Sequence, residues 1–234
     1  QTGRSPYELQ GLTAERLFTN DDFNADGSLK AGIPSQSGVG GTNLKPGDVK
    51  YVDKNGDNAI TEEDAGFIGG TIDPRIVYGF GGVIAYKNFD FNFFFQGVGD
   101  SHRIIGGTPY FIPGSGTTVQ GNAYSENISD RWTTDNQDPY AFWPRFTYGP
   151  NVNNYRASTW WKKDMSFLRC KTIELGYTLN TNWLKSLYVK SMRVYVSGNN
   201  LFAFSKFKLW DPELGTSDGL RYPMNRSIQF GVDI

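Results

Sequence analysis

Hydrophobic and polar residues alternate with a period of two over much of the chain, which is the pattern of β-strands with one apolar face. At residues 76–86, large apolar side chains share one parity, and glycine, valine and alanine occupy the other. A short turn follows, and then Phe89, Phe91, Phe93 and Phe95 alternate with mostly polar residues. The alternation returns at residues 167–178, 188–204 and 228–234. The pattern predicts an all-β protein with about five or six strands here.

One stretch conflicts with strict alternation. Between residues 167 and 177, regular alternation would place Arg169 and Lys171 on the same face as the apolar Ile173. A charged side chain on an apolar face is costly. We therefore predict a β-bulge near Lys171 and Thr172, where one extra residue corrects the parity.

The spacing of the strands indicates how they are used. Strands of about 9 to 11 residues with short turns at one end and long loops at the other are typical of tilted transmembrane strands. Residues 1–50 and 106–163 read as irregular, and the second segment is long for an ordinary connection. Five or six strands cannot close around an aqueous channel, so they would be part of a larger barrel. A soluble β-sandwich shows the same alternation and stays open as an alternative.

Composition excludes several classes of function. The 23 basic and 24 acidic residues balance, so nucleic acid is not an expected partner. No stretch approaches the roughly 18 consecutive apolar residues of a membrane-spanning helix. With one cysteine, Cys170, and one histidine, His102, the chain offers no internal disulfide and no Cys/His zinc site. Neither a catalytic triad nor a phosphate-binding glycine motif is present, and we expect no enzymatic activity.

A set of short motifs occurs in a fixed order along residues 46–232. The motifs are PGDVKY (46–51), DKNGD (53–57), YGF (78–80), FFQG (94–97), SFLR (166–169), LGY (175–177), SGNNLF (197–202), DPE (211–213), YP (222–223) and RS (226–227). Each motif is weak alone, but the ordered set resembles the C-terminal part of SusC-like (SusC/RagA) TonB-dependent outer-membrane transporters.

The resemblance implies a fold and a location. It implies that residues 72–234 are the C-terminal strands of a 22-stranded antiparallel transmembrane β-barrel in the bacterial outer membrane. Residues 1–71 would be an irregular extracellular loop region, and segments 106–163 and 205–222 would also be extracellular. The plug domain of the family is not in this sequence.

The resemblance also implies partners and a function. The partners are a SusD-like surface lipoprotein that acts as a lid, TonB, which supplies energy through the missing N-terminal part, and outer-membrane lipid. The function is import of an oligosaccharide or peptide. A secreted, calcium-stabilised β-sandwich that binds glycans is the alternative, and an unspecific porin is disfavoured by the long loops.

One loop has the spacing of a calcium site. Oxygen-bearing residues stand at positions 1, 3, 5, 7, 9 and 12 of residues 53–64: Asp53, Asn55, Asp57, Ala59 through its carbonyl, Thr61 and Asp64. Asn58 stands at the sixth position, where glycine is usual, and must adopt a left-handed conformation. The loop therefore predicts a structural Ca²⁺ site, with an Asx-turn loop without metal as the alternative.

Aromatic residues in the predicted extracellular segments are the candidates for contact with substrate or lid, because flat rings stack on sugars and on peptide side chains. They are Trp132, Tyr140, Trp143 and Tyr148 in the first segment and Trp210 in the second. The alternative is that they pack the loops internally. Trp160 and Trp161 precede a strand and are predicted to lie in an interfacial aromatic belt.

Overall fold

The computed structural model describes residues 3, 5–106, 128–147, 151–179 and 189–234. These residues contain eleven β-strands and several short 3₁₀ helices, and no helix among them has the length and apolar character needed to cross a membrane. The strands are β1 (Glu8–Gly11), β2 (Ala14–Leu17), β3 (Val49–Tyr51), β4 (Gly66–Thr71), β5 (Ile76–Tyr86), β6 (Phe89–Gly99), β7 (His102–Ile104), β8 (Lys162–Asp164), β9 (Phe167–Leu179), β10 (Met192–Ser205) and β11 (Ser227–Asp233).

The chain divides into two compact units. The sheet unit contains Asp73–Ser101, Asp164–Gly215 and Gly219–Ile234, and the loop unit contains Gln1–Ile72, His102–Lys163 and Thr216–Asp218. The division into domains at residue 72 that the sequence suggests, and the extracellular position of the loops, stay predictions.

The sheet unit holds the long strands that the alternation predicts. Its five strands form one antiparallel sheet in the order β11-β10-β9-β6-β5. β5 and β6 pair without interruption from Ile76 opposite Gly99 to Tyr86 opposite Phe89. Lys87, in the turn between them, has a φ of 55°. The predicted all-β fold is confirmed, and the bounds of β5 and β6 are those predicted.

The predicted bulge is confirmed in β9. Phe94 of β6 lies opposite Thr172, but the next residue, Phe95, lies opposite Cys170, so Lys171 is the extra residue. The pairing with β10 is interrupted at the same level, between Asn199 and Phe202. The bulge keeps Lys171 and Arg169 away from the apolar side of the sheet, as the prediction requires.

The loop unit has a hydrophobic core of its own. β1 pairs with β4, β2 with β3 and β7 with β8. Buried aliphatic and aromatic side chains from distant parts of the chain pack together around these short strands. The core includes Leu12, Leu17, Val39, Val49, Tyr51, Ile60, Trp132 and Ala141. Residues that alternation leaves unassigned are thus ordered by contacts between remote segments.

The prediction of an interfacial position for Trp161 is wrong. Its side chain is 1% exposed, and its ring lies 5.6 Å from the ring of Trp143 and 6.1 Å from that of Tyr155. Its Nε1 donates a hydrogen bond to the carbonyl of Asn154 at 2.7 Å. Trp161 is therefore a core residue of the loop unit.

Buried amide side chains also hold the loop unit together. Gln36 donates to the Val49 carbonyl at 2.9 Å and accepts from the Tyr51 N–H at 2.7 Å. Its Nε2 also donates to Asn153 at 2.6 Å, and Asn154 accepts from the Val49 N–H at 2.9 Å. Because polar groups without partners are costly inside a protein, this network fixes β3 against residues 152–155 in one arrangement.

Candidate functional site

One face of the five-stranded sheet is formed by apolar and aromatic side chains, glycines and Cys170. The strand register places Phe80, Phe95, Cys170 and Phe202 side by side across β5, β6, β9 and β10. The rings of Phe80 and Phe95 stack with centroids 5.3 Å apart. Within the described part of the sheet unit no second sheet covers this face, and many of its side chains are open to solvent. Exposed fractions reach 84% at Phe230, 67% at Tyr86 and 62% at Ile228.

The opposite face carries charged and polar side chains. Arg193 of β10 donates to both carboxylate oxygens of Asp90, at 3.0 and 2.5 Å, and to Glu174 at 2.6 Å. Asp233 of β11 lies 3.4 Å from the same guanidinium. A Cβ atom at Gly176 would overlap that guanidinium, so glycine gives it room to lie flat on the sheet. One cation thus ties together β6, β9, β10 and β11.

A second charged group on this face anchors the loop after β10. Arg169, with 5% of its side chain exposed, contacts both Asp211 oxygens at 2.5 Å and Glu213 at 2.5 Å. Lys171 contacts the other Glu213 oxygen at 2.5 Å. Asp211 caps the 3₁₀ helix Pro212–Leu214 by accepting from the Glu213 N–H at 3.0 Å. The loop is therefore held on the polar face by two carboxylates and two cations.

The predicted contact aromatics differ in accessibility. Trp132 and Trp143 are buried, with 7% and 3% of their surface exposed, and their rings pack inside the loop unit. Tyr140 is 69% exposed. Trp210 is half-buried and packs against Phe207 at 4.8 Å. Tyr148 lies outside the described residues. A role in ligand contact stays a prediction, and in this arrangement Tyr140 and Trp210 offer ring surface for it.

The predicted calcium loop is closed by its own hydrogen bonds. Asp53 accepts from the backbone N–H groups of Gly56 at 2.7 Å and Asn58 at 2.8 Å. The side chain of Asp64 is buried and accepts from the N–H groups of Lys54 and Thr61, both at 2.8 Å. Burial would raise the pKa of Asp64, but these hydrogen bonds outweigh it and lower that pKa.

At the sixth position of this loop the backbone has the conformation that the spacing requires. Asn58 adopts a φ of 67°, the left-handed conformation expected at the sixth position. Among the described residues no three His, Cys, Asp or Glu side chains converge as metal ligands. Asp53, Asp57 and Asp64 therefore do not surround one point, and Ca²⁺ binding stays a prediction that rests on the oxygen donors of the loop.

Similarity in sequence relates the chain to known proteins. It is 32% identical over 203 residues to the TonB-dependent receptor P26 of Formosa agariphila, an alignment that covers 80% of this chain and 19% of that receptor. It is 26% identical over 195 residues to the TonB-dependent receptor SusC of Bacteroides thetaiotaomicron, covering 82% and 18% of the two chains. No family model matches.

The solved structure of the RagAB peptide transporter shows the same fold. It superimposes with a TM-score of 0.66 at 17% identity, over 96% of this chain and 22% of that chain. The chain thus spans about a fifth of the length of these relatives. The antiparallel sheet with one apolar and one charged face is a part of their β-barrel. The chain belongs to the SusC-like TonB-dependent receptors, of which it is a β-barrel segment.

Proposed function

We propose that the chain forms part of the wall and of the extracellular surface of an outer-membrane nutrient importer that takes up oligosaccharides or peptides. The apolar face of the sheet contacts lipid, and the charged face lines the transport path. The loop unit lies outside the cell and takes part in capture of the substrate. Energy comes from TonB through parts of the protein beyond this segment.

The observation that carries the proposal is the contrast between the two faces. Across five strands the apolar face holds no charged side chain, whereas the other face holds charged groups such as Arg193, Asp90 and Glu174. Alternation of lipid-facing apolar and inward-facing polar residues is the arrangement of transmembrane barrels. A β-sandwich would instead cover the apolar face with a second sheet, and the sheet unit has one sheet within its described residues.

A SusD-like lipoprotein as lid is part of the proposal. It is supported by the similarity to SusC and to RagAB, which is described as a peptide importer. The loop unit supports it as well, because a packed core gives these loops a fixed surface for a partner. Tyr140 is the exposed aromatic residue that we place at this surface.

Two neighbouring phenylalanines provide the test. Phe93 lies on the apolar face and Phe94 on the polar face at the middle of β6. An arginine at a lipid-facing position near the bilayer centre costs about 2–4 kcal/mol. We expect Phe93→Arg in the complete protein to reduce its amount in the outer-membrane fraction strongly and Phe94→Arg to leave that amount close to wild type. Equal recovery of both variants, or recovery of the wild-type protein from the soluble fraction, would overturn the proposal.

A further inference from the structure

A cavity of about 520 Å³ opens on the polar side of the sheet unit, between β10 and the loop that follows it. Arg169, Ala203 and Ser205 of the sheet contribute to it, and Phe207, Trp210 and Met224 supply apolar surface from the loop. Its size suits one or two units of an oligomer.

The cavity has an excess of positive charge. Arg169 is neutralised, because it and Lys171 are paired with Asp211 and Glu213. Lys208 and Arg226 also line the cavity, are exposed, and form no ion pair within the described part of the chain. The four paired residues contribute no net charge, so these two cations determine the charge that a ligand meets.

The strand beside the cavity departs from regular pairing at this level. Asn200 and Leu201 of β10 lie opposite Lys171 alone, and Asn200 adopts a left-handed φ of 51°. The Asn200 side chain donates to the carbonyl of Asn225, next to Arg226, at 3.2 Å. Bulges of this kind often reorient side chains next to binding sites. Here the hydrogen bond from Asn200, which lies in the bulge, holds β10 against the segment that carries Arg226.

We propose that this cavity binds an acidic unit of the transported oligomer, with Lys208 and Arg226 contacting its anionic group and Trp210 contacting its apolar surface. Guanidinium and ammonium groups form strong hydrogen bonds to carboxylates, and an indole ring stacks on a sugar or on an apolar side chain. The inference rests on the proposed importer, since the charged face must line the transport path. It adds that the substrate is anionic.

The test measures binding to the complete, purified protein in detergent by calorimetry. The probes are a pentamer of galacturonate, a neutral pentamer of glucose and a pentamer of glutamate. We expect at least one acidic probe to bind at least tenfold more tightly than the neutral one, with the difference shrinking as salt is raised. The two acidic probes distinguish a glycan from a peptide as the source of the anion.

Matched substitutions locate the effect. We expect the double variant Lys208→Gln and Arg226→Gln to lose at least tenfold in affinity for the acidic probe. Lys206→Gln and Arg221→Gln remove two exposed cations of neighbouring positions that do not line the cavity, and should leave affinity unchanged. Equal loss in both pairs, binding without preference for acid, or no binding of either acidic probe would overturn the inference.

Failure of the inference can be told apart from failure of the importer. If the wild-type protein is in the outer membrane and Phe93→Arg blocks its assembly, while the acidic preference is absent, only the inference fails. If the wild-type protein is soluble, the proposed function is wrong, and the inference that rests on it is wrong as well.

Discussion

In the loop unit, Asp22 links the 3₁₀ helix Asn20–Asp22 to β2 and β3. Arg16 donates to both of its carboxylate oxygens, at 2.7 and 2.8 Å, and the Thr19 N–H donates at 2.8 Å. Lys50 lies 3.6 Å away. Burial would raise the pKa of Asp22, but these partners outweigh it and hold the pKa at about 2, below its usual 3.8.

This pKa predicts a dependence of stability on pH. The pKa of Asp22 is lower in the folded protein than in the unfolded chain, so its carboxylate adds at most about 2 kcal/mol to the free energy of unfolding. This contribution is fully present above about pH 5 and is lost as the pH falls from about 4 to 2. We expect Asp22→Asn to melt at a lower temperature than wild type at pH 6 and at nearly the same temperature at pH 2. Tryptophan fluorescence of the detergent-solubilised protein measures both transitions.

The neighbouring Asp21 provides the control for this prediction. Asp21 is exposed, and Asp21→Asn should melt like wild type at both pH values. A difference between wild type and Asp22→Asn that is equal at pH 6 and pH 2 would show that packing, and not charge, is the source of the stabilisation.

At the scale of elements, β9 shows how one extra residue protects a face. Lys171 lies between Thr172 and Cys170, which pair with the consecutive residues Phe94 and Phe95. Deleting Lys171 therefore leaves every other residue of β9 on its present face. Deleting Leu175 instead moves Glu174 onto the apolar face, because all residues up to the bulge shift by one position.

We expect the complete protein without Lys171 to assemble in the outer membrane and the one without Leu175 to fail. The change in electrophoretic mobility on heating, which distinguishes a folded barrel from an unfolded chain, measures the assembled fraction. Lys171→Gln removes the same charge without changing the length of the strand and controls for the lost contact with Glu213. Failure of both deletions to an equal degree would contradict this account of the bulge.

The strands and the bulge could be predicted from the sequence because their signals are local. Alternation in β5 and β6, and the misplaced parity of Arg169, are visible within about ten residues. The loop unit gave no such signal, since β1, β2 and β3 have only three or four residues each. Its order depends on contacts such as Gln36 to Asn153, which are 117 positions apart. The sequence also did not predict the charged cavity, apart from Trp210. Its two unpaired cations, Lys208 and Arg226, come from separate segments of the chain, so no local pattern joins them.

The loop of residues 53–64 gives a prediction about metal. A cation that binds only the folded state stabilises it by about 2.7 kcal/mol at one hundred times its dissociation constant. We expect Ca²⁺ to raise the melting temperature of chelator-treated protein and the double variant Asp53→Asn and Asp57→Asn to lose this effect. Asp26→Asn, in an acidic turn without the later ligands, should keep it. No shift with Ca²⁺ in the wild-type protein would favour the Asx-turn loop without metal.

At the scale of the whole molecule, the two units are stabilised in different ways. The sheet unit exposes its apolar face and, under the proposed function, depends on lipid to cover it. The loop unit buries its apolar side chains in its own core, with Leu17, Val49 and Ile60 completely inaccessible. The described part of the loop unit can therefore keep a fixed surface without lipid.

This difference predicts how proteases act on intact cells. Replacing a buried tryptophan by alanine in a core costs about 3–5 kcal/mol. Trp161→Ala removes the ring that packs against Phe142, Trp143 and Tyr155, so it should open the loop unit without affecting the strands of the sheet unit. We expect added trypsin to cleave the loop unit of this variant at least tenfold faster than that of wild type, leaving membrane-embedded fragments.

Tyr140→Ala, which removes an exposed ring of the same unit, should be cleaved at the wild-type rate. Equal rates for the Trp161 variant and wild type would mean that the loops do not depend on this core, and the fixed partner surface proposed for them would lose its support.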